Sequence, residues 1–141
     1  MKTGLEVEED FYKALKAEGG ISEAVSGTLY RDETRPRDSK AEDIVIRLTS
    51  LGQGQIQSGV LTLLIYVQDV SLGKGNLVRN SARLSELATA AQKTADVLWQ
   101  HLPSDYAVCR LYEGINSQIV KAIGQHFLSV RLYFEILNQN Y

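Results

Sequence analysis

Gly73-Lys74-Gly75 is the grouping in this chain that comes nearest to a phosphate-cradling loop. The complete pattern needs a glycine, four residues, and then Gly-Lys-Ser/Thr opening a helix. Here Lys74 is followed by glycine, and no glycine stands at the required distance before Gly73. The segment therefore reads as a flexible loop. Asp38, Lys40, Glu42 and Asp43 supply the residue types of a nuclease-like metal site. Such a site needs its carboxylates and lysine on rigid strand positions, whereas these crowd one loop and read as a solvated face. His101 and His126 have no carboxylate or cysteine at metal-ligand spacing. His101 falls at the end of a long helix, where it suits the dipole, and His126 opens the last strand; both read as structural. Cys109 alternates with Val108 and Arg110 and reads as a small buried apolar residue. No catalytic, cofactor or metal site is expected, and the chain does not read as an enzyme.

Arg31, Arg35, Arg37 and Lys40 are interleaved with Asp32, Glu33, Asp38, Glu42 and Asp43. This mixed-sign run has no apolar periodicity, and Pro36 interrupts regular structure. It is expected to be a long exposed loop. Two readings stay open for it. It is either a solvated loop whose pairs contribute about 0–1 kcal/mol each, or a partner surface whose charges set register.

Composition narrows the classes. The 141 residues favour one domain, 1–141, with a real core. A net charge of −2 with 23% charged residues lacks the basic excess of nucleic-acid binders and any polybasic stretch for a membrane surface. One cysteine makes no internal disulfide. The acidic start, Met1 to Asp10, has no apolar signal core. The longest apolar run, Val60 to Val67, is broken by Thr62 and is far short of the ~20 residues of a membrane span. The expected location is the cytoplasm, unless the protein leaves as part of a particle.

The elements that must position these residues are read from periodicity. A first helix is expected over about 8–17, with Phe11, Ala14 and Leu15 as its apolar stripe and Gly19-Gly20 as its end. Gly27 to Tyr30 can open a short strand. Ile44 to Leu48 alternates as a strand, Gly52-Gln53-Gly54 turns the chain, and a second strand runs from near Gln55 to about Val70. That strand is apolar on both sides at its centre, with a bulge or close backbone approach expected at Gly59. Asp69 to Asn80 reads as a flexible loop. A helix over Ser81 to Leu102 carries a stripe of Leu84, Leu87, Ala88, Ala91, Ala95, Leu98 and Leu102, capped by Asn80 or Ser81 and stopped by Pro103. Ala107 to Tyr112 is a short strand, and Glu113 to Gln125 is less regular.

The last strand, Phe127 to Leu137, alternates Leu128, Val130, Leu132, Phe134 and Ile136 with Ser129, Arg131, Tyr133 and Glu135. At ~3.3 Å per residue it reaches roughly 33 Å. The expected architecture is α+β, in the order αββαββ: a mainly antiparallel sheet of about four strands, a long amphipathic helix on one face and a short N-terminal helix. The last strand is expected at or near an edge, with its polar set facing a partner.

This layout resembles the tail-completion, or tail-terminator, proteins of long-tailed bacteriophages. The resemblance rests on Gly27-Thr-Leu-Tyr30 after the first helix, the Arg35-Pro36 segment, Asp43-Ile-Val-Ile46, Leu61-Thr-Leu-Leu-Ile-Tyr-Val67, the alanine-rich helix Leu84 to Leu102, and two closing strands. It covers most of the chain as an order of elements, without a catalytic motif. It implies a virion protein of the tail or neck, assembled in the host cytoplasm. Such a protein forms a ring, typically a hexamer, that caps the tail tube and meets the head-closure or connector proteins, with no membrane or sequence-specific nucleic acid as partner. The residues expected to meet another subunit or partner are Arg31, Arg35, Arg37, Asp38, Lys40, Arg131, Tyr133 and Glu135. Two other readings stand beside it. One is a small binding module or enzyme with Tyr66, Tyr112, Tyr133 and Arg131 lining a pocket. The other is a cytoplasmic adaptor that binds a peptide by strand addition.

Overall fold

The computed structural model describes residues 1–31, 34–73, 75–120 and 124–139. Helix α1 spans Gly4–Glu18 and starts earlier than the periodicity implied. Thr3 and Glu6 form a reciprocal capping box, which satisfies backbone donors that a helix start leaves unpaired. Gly19, at φ 73°, closes the helix in the left-handed conformation that glycine adopts without a Cβ penalty. Val7, Phe11, Ala14 and Leu15 form the buried stripe. A single turn, α2 (Ile21–Ala24), follows.

Among the described residues, six strands build one sheet. They are β1 (Leu29–Arg31), β2 (Ile44–Leu51), β3 (Ile56–Gln68), β6 (Tyr106–Leu111), β7 (Asn116–Val120) and β8 (Gln125–Leu137). Their spatial order is β1-β2-β3-β8-β6, and β7 also pairs with β8. Among the described residues only the short β1–β2 pair is parallel. Between β3 and α3 (Ser81–Val97) a separate two-stranded hairpin is made by β4 (Val70–Ser71) and β5 (Leu77–Val78). Asn80 caps α3 by accepting from the Arg83 N–H, and a 3-10 turn, Leu98–His101, finishes it before Pro103.

The α+β class and the mainly antiparallel sheet match the sequence reading, with two differences. Six strands replace four, because β1 forms and because β7 lies inside the segment read as irregular. The turn preceding β7 gave Glu113 to Gln125 too little alternation to show a five-residue strand. The last strand is also not an edge. β8 pairs with β3 along all thirteen residues of each strand, and with β6 and β7 on its other side. Its length serves to back one strand while carrying two shorter ones in tandem.

The helices cover one face of this sheet. Ile44, Ile46, Leu61, Leu63, Ile65, Leu128, Val130, Leu132, Phe134 and Ile136 meet the stripes of α1 and α3 there. At ~1.5–3 kcal/mol for each large apolar side chain taken from water, Leu84 and Leu87 hold α3 down. Phe11, Tyr106 and Phe134 pack as a ring cluster with centroids 5.4–6.0 Å apart, tying α1 to β6 and β8. The register between β2 and β3 shifts at Leu48/Ser50, a bulge of the kind expected near Gly59. A Cβ on Gly59 would lie 2.7 Å from the Phe134 ring, so only glycine lets the strands close there.

Candidate functional site

The charged loop before β2 is organised from inside. Arg35 Nε donates to Asp43 Oδ2 at 2.9 Å, and its Nη2 donates to the Ser39 carbonyl and Gln125 Oε1, each at 3.1 Å. Its guanidinium lies 3.9 Å from the centroid of the Tyr66 ring. Asp43, 1% exposed, also accepts from the Thr28 N–H and the Ser39 hydroxyl. Gln125 is fully buried and donates to the Ser39 carbonyl and Gln68 Oε1. The loop is thereby tied to the ends of β2, β3 and β8. Arg35 is an internal anchor, which corrects its place among the outward-facing residues. The sequence concealed this because a buried ion pair leaves no apolar period to read.

The other members of the loop divide. Arg31 donates to the Leu5 carbonyl at 3.1 Å and lies 3.8 Å from both Glu8 and Glu9, joining β1 to α1. Arg37, Asp38 and Lys40 are exposed. Asp32 and Glu33 lie outside the described residues. Glu42 is held by Arg83 of α3 through contacts of 2.7 and 2.8 Å, and this hydrogen bonding keeps its carboxyl below the ordinary carboxylate range. With Asp43 inside and Glu42 turned to α3, the four residues Asp38, Lys40, Glu42 and Asp43 do not share one site.

The face of the sheet that lacks helices gathers the remaining candidates. Register places Arg131 opposite Thr62, Tyr133 between Val60 and Arg110, and Glu135 between Ser58 and Val108. The Tyr133 hydroxyl donates to Glu135 Oε2 at 2.7 Å, a bond that raises the phenol pKa. Arg110 sits 4.9 Å from the Tyr133 ring centroid, and Tyr112 stacks on Tyr133 with centroids 6.4 Å apart. Arg131 reaches Glu113 at 3.1 Å, while its Nε is buried without a hydrogen-bond partner among the described residues. Arginine and tyrosine are, with tryptophan, the side chains enriched where binding energy concentrates. Arg110 is the member that sequence reasoning missed. The Arg-x-Tyr alternation of Arg110 and Tyr112, opposite the inward Cys109, was the available signal. Tyr66 is not part of this group. Its β8 neighbour Phe127 is six residues from Tyr133, roughly 20 Å along the strand, so Tyr66, Tyr112, Tyr133 and Arg131 do not converge on one pocket.

A second surface has a different character. The segment read as a flexible loop is the β4–β5 hairpin, with Gly73 and Gly75 at positive φ; Lys74 lies outside the described residues. Val70, Leu72, Leu77 and Val78 are all exposed, Leu72 to 72%. His126 Nδ1 and Asp69 Oδ1 meet at 2.7 Å at the hairpin's base, giving His126 a structural partner. Cys109 is buried, and burial pushes its thiol up to about 12. Among the described residues no group of three or more His, Cys, Asp or Glu side chains is gathered for a metal ion, and no helix is long and apolar enough to cross a membrane. No family model matches the chain, and no curated protein matches it.

Proposed function

We propose that this chain is a structural subunit of a phage or prophage particle. It forms a ring, of about six copies, that terminates the tail tube and joins it to the head. The observation that supports the reading is the presence of two dissimilar open surfaces on one small subunit. An arginine–tyrosine cluster occupies the helix-free face of β6 and β8, and an apolar hairpin projects beyond β3. Gly124, beside the hairpin, and Tyr133 are nine residues apart on the β8 path, roughly 30 Å along the strand. Closed rings are built from such unlike, head-to-tail patches.

The role is architectural rather than catalytic, in keeping with the buried Cys109 and the self-satisfied Asp43. The hairpin is assigned to contacts between copies, and the cluster of Arg110, Tyr112, Arg131, Tyr133 and Glu135 to the tail tube or the head-closure protein. The exposed Arg37, Asp38 and Lys40 remain available at a rim. The location that follows is the tail or neck of the virion, after assembly in the host cytoplasm. Electron microscopy of the purified protein tests the reading: rings with an open lumen are expected, and uniform globular particles of single-chain size would contradict it.

A further inference from the structure

Among the described residues, three features lack a counterpart within the chain. The first is the hairpin, whose two strands have two residues each. A ribbon that small is marginal in water by itself, yet it exposes four apolar side chains. The second is a cleft between α3 and β7. It has a volume of about 180 Å3, and its apolar residues Leu84, Ala88, Ile115 and Leu128 are bordered by polar ones, Arg79 and Ser85 among them. A neighbouring depression runs along Ala88, Gln92 and Ile115. The third is the outer edge of β7, which pairs only with β8 among the described residues and leaves Ile119 51% exposed.

The chain's own hairpin does not fill its own cleft. Leu77 leans toward Gly124, whose Cβ position lies 2.9 Å from the leucine methyl, and both Leu72 and Leu77 remain open to water. Among the described residues, knob and hole are therefore both unfilled on the same molecule. We propose that the β4–β5 hairpin of one copy docks in the α3–β7 cleft of the next, seating Leu72 and Leu77 over Leu84 and Ile115 and lying along the free edge of β7. Exposed strand edges recruit other chains in this way. The contact is head-to-tail because hairpin and cleft are different surfaces, so it propagates from copy to copy. The inference rests on the ring reading and specifies which surfaces close the ring.

The test uses two variants of the full chain. Leu72→Asp with Leu77→Asp disables the hairpin, and Ser85→Arg blocks the cleft. All three positions are exposed, so both variants are expected to keep the far-ultraviolet circular dichroism and melting temperature of the parent. The parent is expected to assemble, and each variant alone to elute at the single-chain mass of 15.7 kDa. An equimolar mixture restores one contact, between the intact hairpin of one and the intact cleft of the other, and is expected at twice that mass. Parent-like assembly by either variant would overturn the docking while leaving the ring reading in place. A mixture that stays at single-chain mass would overturn it equally. A parent that is itself a single chain would remove both.

Discussion

Arg35 Nε lies 2.9 Å from Asp43 Oδ2, and the two side chains are 8% and 2% exposed. A loop whose sequence reads as solvent-facing charge is fastened by its most interior ion pair. The consequence is that this loop is part of the fold's framework rather than a free arm.

Arg35→Ala should therefore unfold the protein more easily. It strands a carboxylate that keeps only the Thr28 N–H and Ser39 hydroxyl as donors. Breaking a buried pair from one side costs about 3–5 kcal/mol. Thermal denaturation should show a fall of roughly 10 °C or more. A change below about 2 °C would mean that the pair is not a stabilising contact in solution. Arg35→Glu is consequently unsuited to probing assembly, since it places a second carboxylate beside Asp43.

The elements with a clear period were legible in the sequence. The stripes Phe11/Ala14/Leu15 and Leu84/Leu87/Ala91/Ala95 gave both long helices, and the alternations of β2, β3 and β8 gave the sheet's centre. What the sequence withheld was pairing. The polar residues of β8 are consistent with an edge strand or with one open face of a central strand, and only the register with β3, β6 and β7 decides between them. The Arg35–Asp43–Gln125 network was hidden because it joins positions 90 apart in sequence. Arg131, Tyr133 and Glu135 do share an open face, but the grouping with Arg110 depends on which strand lies alongside.

Glu42 and Arg83 predict a pH dependence. Hydrogen bonds from Arg83 hold Glu42 below its ordinary value of 4.5, against the smaller opposing effect of burial. A carboxyl depressed by folding contributes stability that is fully present above the unfolded value and is lost as pH falls through the folded one. Glu42→Gln should cost roughly 1–2 kcal/mol at pH 7, and this cost should disappear once pH has fallen through the depressed folded value. Urea denaturation of parent and variant across pH 3–7 should show the difference closing only below about pH 4.5. A constant difference over the whole range would contradict the pairing.

Cys109 should be inert while the protein is folded. Its side chain is 9% exposed on the core face opposite Phe134, and its pKa is near 12. Because the thiolate is the reactive form, labelling by a disulfide reagent at pH 8 should run at least ~100-fold slower than for free cysteine. Full reactivity should return in denaturant. Rapid labelling of the native protein would show that the β6–β8 core opens readily.

The arginine–tyrosine face should contribute little to the stability of the isolated subunit. Arg131→Met loses a half-exposed pair with Glu113, worth about 0–1 kcal/mol, and removes a buried Nε that has no partner among the described residues. Tyr133→Phe loses one half-buried hydroxyl contact with Glu135. Both should melt within ~3 °C of the parent. A loss as large as that expected for Arg35→Ala would make this face a structural element rather than a surface kept for a partner.

The central claim, that this subunit closes on copies of itself into a ring, is tested most directly by its absolute mass. Light scattering coupled to size-exclusion chromatography, at protein concentrations up to tens of micromolar, is expected to give one species near six times the 15.7 kDa of the chain. A strict monomer across that range would contradict the account.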